Sequence, residues 1–129
     1  MNANEILKIR KNFAIIGVSQ DETKYSYEVF HLMNGHHYAV FPVNPRYSEI
    51  AGHKCYPSVE LIPEKVEVIM LIMAPHNTDK MLDNLAGFKD AIFWFPPDCF
   101  SEQTLEKAEQ MGLNYIFDKC PVGLLKGFN

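Results

Sequence analysis

Excess positive charge is missing from this 129-residue chain: 12 Lys and Arg face 16 Asp and Glu, a formal net charge of −4. That argues against a protein held on a nucleic acid by bulk electrostatics, although a small anionic ligand needs only a local cluster of donors. Long apolar runs are missing too. None approaches the roughly 20 residues that cross a bilayer, and Met1 to Lys11 is too charged for a signal-peptide core, so no membrane role and a cytoplasmic location are expected. Cysteine is scarce. Cys55, Cys99 and Cys120 are odd in number and widely spaced, without a CxxC or a Cys/His pair at metal-binding spacing, which argues against a zinc site. The pair His36-His37 follows Gly35 and reads as an exposed turn rather than a metal site. GxSxG, HExxH and GK[ST] motifs are absent, as are repeats and low-complexity tracts.

What is present is an alternation of apolar blocks with amphipathic ones. Phe13 to Val18 is an uninterrupted apolar block, the mark of a strand buried on both faces. It feeds a polar loop, Ser19 to Lys24, and then a helix entered near Tyr25 or Ser26, with Tyr27, Phe30 and Met33 at helical spacing and Gly35 as the C-terminal cap. Further strands are expected at Tyr38 to Val43, Val68 to Met73, Ala91 to Phe95 and Asn114 to Phe117. Further helices are expected at Glu5 to Lys11, from Asn77 or Thr78 to about Leu85 with Gly87 as the stop, and from Ser101 to Met111 with Gly112 as the stop. Between Arg46 and Glu67 only a short strand around Lys54 to Tyr56 and a helical turn at Ser58 to Leu61 are expected, and a tail follows Cys120. The pattern predicts one α/β domain over residues 1–129: a three-layer Rossmann-like fold with a mostly parallel sheet of five or six strands.

In such sheets ligands bind beyond the carboxyl ends of the strands, where strand order reverses. The candidate residues therefore lie at Gly17 to Ser19, Asn44 to Arg46, Ala74 to His76, Phe95 to Pro97 and Asp118 to Cys120. The first loop is not a GxGxxG fingerprint, since Ser19 and Glu22 stand where the second and third glycines belong. The weaker geometric signal survives: a strand, a loop and a helix N-terminus offer backbone donors to a phosphate, with Ser19, Ser26 and Lys24 to assist. At the second strand end an NAD site usually carries an acid for the ribose hydroxyls. Here Val43-Asn44-Pro45-Arg46 brings a guanidinium instead, which suits an extra phosphate on that ribose, as in NADP or coenzyme A. Cys120 reads as a structural thiol ahead of a reactive one, His76 as a helix-start residue ahead of a base, and Trp94 as strand core ahead of a ligand wall.

These residues also carry a resemblance. Ile16-Gly17-Val18-Ser19, the Ser26-Tyr27 helix start, Val40 to Pro45, Gly52 to Ser58, Ile62-Pro63, Trp94 and Asp118-Lys119-Cys120 occur in the same order in the coenzyme A-binding-domain proteins. Those are stand-alone relatives of the N-terminal domain of the succinyl-CoA synthetase α-subunit. The resemblance spans about Ile15 to Cys120. It implies a Rossmann-like domain that binds CoA or an acyl-CoA through the ADP portion. By position, Gly17, Val18 and Ser19 approach the pyrophosphate with help from Ser26, Asn44, Pro45 and Arg46 follow the ribose and its phosphate, and Ala74 with Pro75 faces the adenine. The stretch Pro121 to Gly127 departs from the charged, often His-containing continuation of the family, which leaves the tail without an inherited role. The synthetase's catalytic histidine belongs to a later domain, so ligase activity is not expected to carry over.

Three readings stand at this point. The first is a CoA-binding module without evident catalysis of its own and with no catalytic residue assigned, acting alone, as a homodimer or with a protein partner. The second is an NADP-dependent oxidoreductase or redox sensor. The third is an interaction domain that binds no ligand.

Overall fold

Strands whose side chains are apolar on both sides must be covered on both sides, and the folded chain does this with two helical layers. A computed structural model describes residues 1–127. In chain order the elements are α1 (Ala3–Ile9), β1 (Asn12–Ile16), α2 (Tyr25–Gly35), β2 (Ala39–Val43) and the two-residue strands β3 (Glu49–Ile50) and β4 (His53–Lys54). A 3-10 turn (Val59–Leu61), β5 (Val68–Leu71) and α3 (Pro75–Leu82) follow, and α3 runs on as a 3-10 segment (Asp83–Phe88). The chain then forms β6 (Ile92–Phe95), α4 (Glu102–Gln110), β7 (Asn114–Phe117) and α5 (Pro121–Leu125). The main sheet has five strands, all parallel, within the five or six mostly parallel strands that the sequence predicts, and their order is β2-β1-β5-β6-β7. Strand order reverses between β1 and β5.

Alternation along β1 divides the core. Phe13 and Ile15 point into one apolar cluster with Ile6, Val29, Phe30, Met33 and Trp94, while Ala14 and Ile16 point into another with Leu71, Leu82, Leu85, Phe93 and Phe95. Each large side chain buried this way contributes on the order of 1.5–3 kcal/mol before entropy is counted. Trp94 is fully buried in the first cluster and its indole N–H donates to the Lys119 carbonyl at 2.9 Å, so it is strand core. The outer edge of the sheet at β2 contains Pro42, tolerable there because the missing N–H falls on the side away from β1. That edge is closed by Tyr56, which bridges Val43, donates its N–H to the Pro42 carbonyl and accepts from Asn44 N–H, both at 2.9 Å.

Several local expectations are corrected. Gly35 is the last residue of α2 rather than its cap. The left-handed position falls to His37 at φ 68°, inside the turn that the sequence placed there. Helix α3 begins at Pro75, ahead of Asn77 and Thr78, because proline's fixed φ and absent N–H suit a first helical turn. Thr78 instead turns inward and donates to the Cys99 carbonyl at 2.8 Å. Gly87 does not end the helix; it lies within the 3-10 segment. The strand expected at Lys54 to Tyr56 is a β3–β4 hairpin followed by the single Tyr56 bridge. The expected tail forms α5, whose Val122, Leu124 and Leu125 pack on the α2 side of the core. Phe128 and Asn129 of that tail lie outside the described residues.

Two predictions follow from local chemistry. The hairpin turns on Ala51 and Gly52, both left-handed (φ 50° and 81°), the geometry of a type I′ turn that favours Asn over Ala at its first position. Ala51→Asn should therefore raise stability by about 0.5–1 kcal/mol, read as a higher midpoint in urea at an unchanged slope. At the other end of the sheet, Glu67 accepts from the N–H groups of Lys11 and Asn12, both at 3.0 Å. The Lys11 N–H bond is the largest cause holding its carboxyl below the ordinary range, with the Asn12 bond and the Arg10 charge adding to it against some desolvation. Because the folded-state value is depressed, this stabilisation is complete above the unfolded carboxylate range near pH 4.5 and is lost as pH falls through the folded value. Glu67→Gln should cost about 1 kcal/mol at pH 7, and its deficit should shrink on acidification below about pH 4.

Candidate functional site

The point of strand reversal is built around Gly17. It follows β1 at φ 95°, and a Cβ there would run into the carbonyl oxygen of Ile72. Its N–H donates to the Val43 carbonyl at 2.9 Å, while Ile72 N–H donates to the Ile16 carbonyl at 2.9 Å. The backbone that leaves β1 is therefore held between the ends of β2 and β5, and only glycine fits.

The loop that follows is tied to α2. Ser26, nearly buried in the first turn of α2, accepts the Ser19 N–H through its hydroxyl oxygen at 3.0 Å, and the Ser19 hydroxyl accepts the Asp21 N–H at 3.0 Å. Both hydroxyls accept from backbone, so both keep a proton to donate, the arrangement an anion needs. Asp21 turns aside: its carboxylate takes the Thr23 hydroxyl and N–H, which together hold its pKa below the ordinary value.

Asn44 ties this loop to the end of β2. Its amide nitrogen donates to the Val18 carbonyl and its amide oxygen accepts the Arg46 N–H, both at 3.0 Å. This turn, followed by the rigid Pro45, sets Arg46 on the surface. Its guanidinium forms no ion pair among the described residues.

A cavity of about 580 Å³ opens here, within the size range of small-molecule sites of about 300–1,000 Å³. Gly17 and Asn44 to Arg46 enter its wall from the strand ends, Ser58 to Glu60 from the 3-10 turn, and Met81, Leu85 and Phe88 from α3 and its continuation. One wall is apolar and the strand-end rim is polar. Among the lining residues there is no His, Cys or Lys.

The structure thus brings Gly17, Asn44, Pro45 and Arg46 to one cavity. The other sequence candidates stand elsewhere. Val18 is fully buried in the α2-side core, and Ser19 in the adjoining loop faces Ser26 in the first turn of α2. Lys24 precedes α2 and lines a separate shallow hollow with Glu22, Tyr27 and His31. Ala74 and Pro75 open α3 without lining the cavity, and His76 is exposed on that helix. Cys120 is half-buried and accepts a hydrogen bond from the Tyr25 hydroxyl at 3.2 Å, whose pKa is raised mainly by burial and further by that bond. Sequence reasoning missed the wall from α3. Its signal was the spacing Met81, Leu85 and Phe88, which reads equally well as ordinary core.

Residues 11–125 match a protein-family model described as a CoA binding domain. The chain is 29% identical over 122 residues to the ADP-forming acetate–CoA ligase I of Archaeoglobus fulgidus, a match covering 85% of this chain and 18% of the ligase. It is 23% identical over 116 residues to the uncharacterized protein YneT of Bacillus subtilis, covering 90% of this chain and 86% of that one. The solved structure of a hypothetical protein from Pyrococcus horikoshii OT3 superposes with a TM-score of 0.82 at 33% identity, covering 91% of this chain and 82% of that one. The chain spans less than a fifth of the ligase's length. It belongs to the CoA binding domain family.

The clamp on Gly17 makes a direct prediction. Gly17→Ala forces a side chain into a left-handed residue and against the Ile72 carbonyl, and should cost about 2–4 kcal/mol, measured by chemical denaturation. A loss below about 0.5 kcal/mol would show that the strand ends can part to admit a methyl group.

Proposed function

We propose, from membership of the CoA binding domain family, that this chain binds coenzyme A or an acyl-CoA by its ADP portion at the carboxyl ends of β1, β2 and β5. The observation that carries the reading is the cavity at the strand reversal, where a backbone-only residue, Gly17, and an unpaired guanidinium, Arg46, meet one apolar wall. The parts match the ligand's chemistry. The Gly17 to Ser19 turn and the Ser26 hydroxyl at the start of α2 serve the pyrophosphate, since the N-terminus of a helix and free hydroxyl protons both favour anions. Asn44 and Pro45 hold the turn along the ribose, and Arg46 meets the ribose phosphate with a charge-assisted pair of hydrogen bonds. Lys24 adds charge to the same loop from outside the cavity, and the adenine lies along the cavity wall of α3, the helix that Ala74 and Pro75 open. The pantetheine arm then lies outside the cavity, so the domain binds and presents the thiol or thioester, without evident catalysis of its own. The NADP alternative has no support from the family match or from the relatives.

Thermal denaturation tests this directly. CoA at about a hundred times its Kd stabilises the native state by about 2.7 kcal/mol and should raise Tm by roughly 5–15 °C. A shift with NADP and none with CoA would overturn the reading. Arg46→Ala should weaken CoA binding by about 10–100-fold while changing dephospho-CoA affinity by less than about threefold, measured by titration calorimetry, because only the former carries the phosphate that the guanidinium grips.

A further inference from the structure

We propose that Asn84 determines which purine the cavity accepts, by pairing its carboxamide with the edge of an adenine ring; this rests on the CoA reading above. Met81, Asn84, Leu85 and Phe88 fall at spacings of three, four and seven residues and all line the cavity. Three of them are apolar: Met81 and Phe88 are partly buried and offer polarisable surface to the faces of a ring, and Leu85 backs them from the core. Asn84 is the one polar side chain in that stripe, and its carboxamide is unpaired among the described residues.

The cavity's other polar groups are already committed or unsuited. Asn44 has both ends of its amide engaged inside the protein, with Val18 and Arg46. Glu60 receives the Ser58 hydroxyl at 3.5 Å, and its carboxylate offers acceptors only. Arg46 offers donors only and stands at the strand-end rim, where an anion is drawn away from Glu60. Adenine presents a donor, its 6-amino group, beside a ring-nitrogen acceptor. On the edge that carries N7, a carboxamide matches that pair with two hydrogen bonds, whereas a 6-oxo purine presents two acceptors there, so the carboxamide loses one bond in either orientation.

The test is titration calorimetry with CoA and with its hypoxanthine analogue, in which the 6-amino group is replaced by oxygen. The native chain should bind CoA about 5–100-fold more tightly than the analogue. Asn84→Ala should bring the two affinities within about threefold of each other, while Glu60→Gln and Arg46→Ala should keep the native ratio. Asn84 is exposed, so its variant should keep the native Tm to within about 2 °C, which separates a lost contact from a lost fold. A native ratio preserved in Asn84→Ala, or abolished in Glu60→Gln instead, overturns this assignment alone. A native chain that binds neither compound overturns the CoA reading on which it rests.

Discussion

The close approach of Gly17 to the Ile72 carbonyl is the constraint on which the rest of this structure depends. A parallel sheet that reverses its strand order leaves a crevice at the reversal, and the crevice is useful only if the backbone leaving the first strand stays low. A side chain at Gly17 would lift that backbone from β5 and break its bond to Val43, so that the ends of β1, β2 and β5 would no longer lie in one plane. With glycine there, three strand ends meet beneath one opening, and groups far apart in the chain share a wall.

Asn44 extends the same logic sideways. A carboxylate at this strand end would suit a plain ribose, but it could only accept hydrogen bonds. The amide both donates to Val18 and accepts from Arg46, so one side chain joins the first loop to the second and sets the direction of the arginine. The residue that stands where a ribose-binding acid would be thus also builds the turn that presents the cation. Cys55 adds to this corner by donating to the Asn44 carbonyl at 3.5 Å, and burial pushes its thiol pKa up, as befits a packing residue.

The layers of the fold were legible because β1, β5 and β6 are apolar without interruption, and only a doubly covered parallel sheet satisfies such strands. Gly17, Asn44 and Arg46 were legible because strand ends are where chemistry collects. Boundaries set by competition between neighbours were not. His37 rather than Gly35 takes the left-handed turn, and Pro75 displaces Asn77 and Thr78 as the helix start since proline fits the first turn wherever it stands. The apolar wall was hidden for a deeper reason. Met81 and Phe88 are in helical phase with the buried Leu85, and periodicity reports only that a face is covered, whether by protein or by a ligand. The tail was hidden because a five-residue helix has almost no propensity of its own; α5 exists through the packing of Val122, Leu124 and Leu125.

The division between strand-end rim and helical wall bears on how such a domain works within a longer enzyme and apart from one. Coenzyme A keeps its reactive sulfur at the opposite end from its nucleotide, joined by a flexible arm. A site that grips only the nucleotide can supply affinity and orientation while the bond-making groups lie elsewhere. The cavity's polar set, an arginine, two amides, a serine and a glutamate, is one of hydrogen-bond donors and acceptors suited to that task. On the reading proposed above, the same cavity would serve both a domain within a longer enzyme and a module that stands apart from one. In both settings the binding energy would originate at the strand ends, and what would differ is the group that meets the far end of the flexible arm.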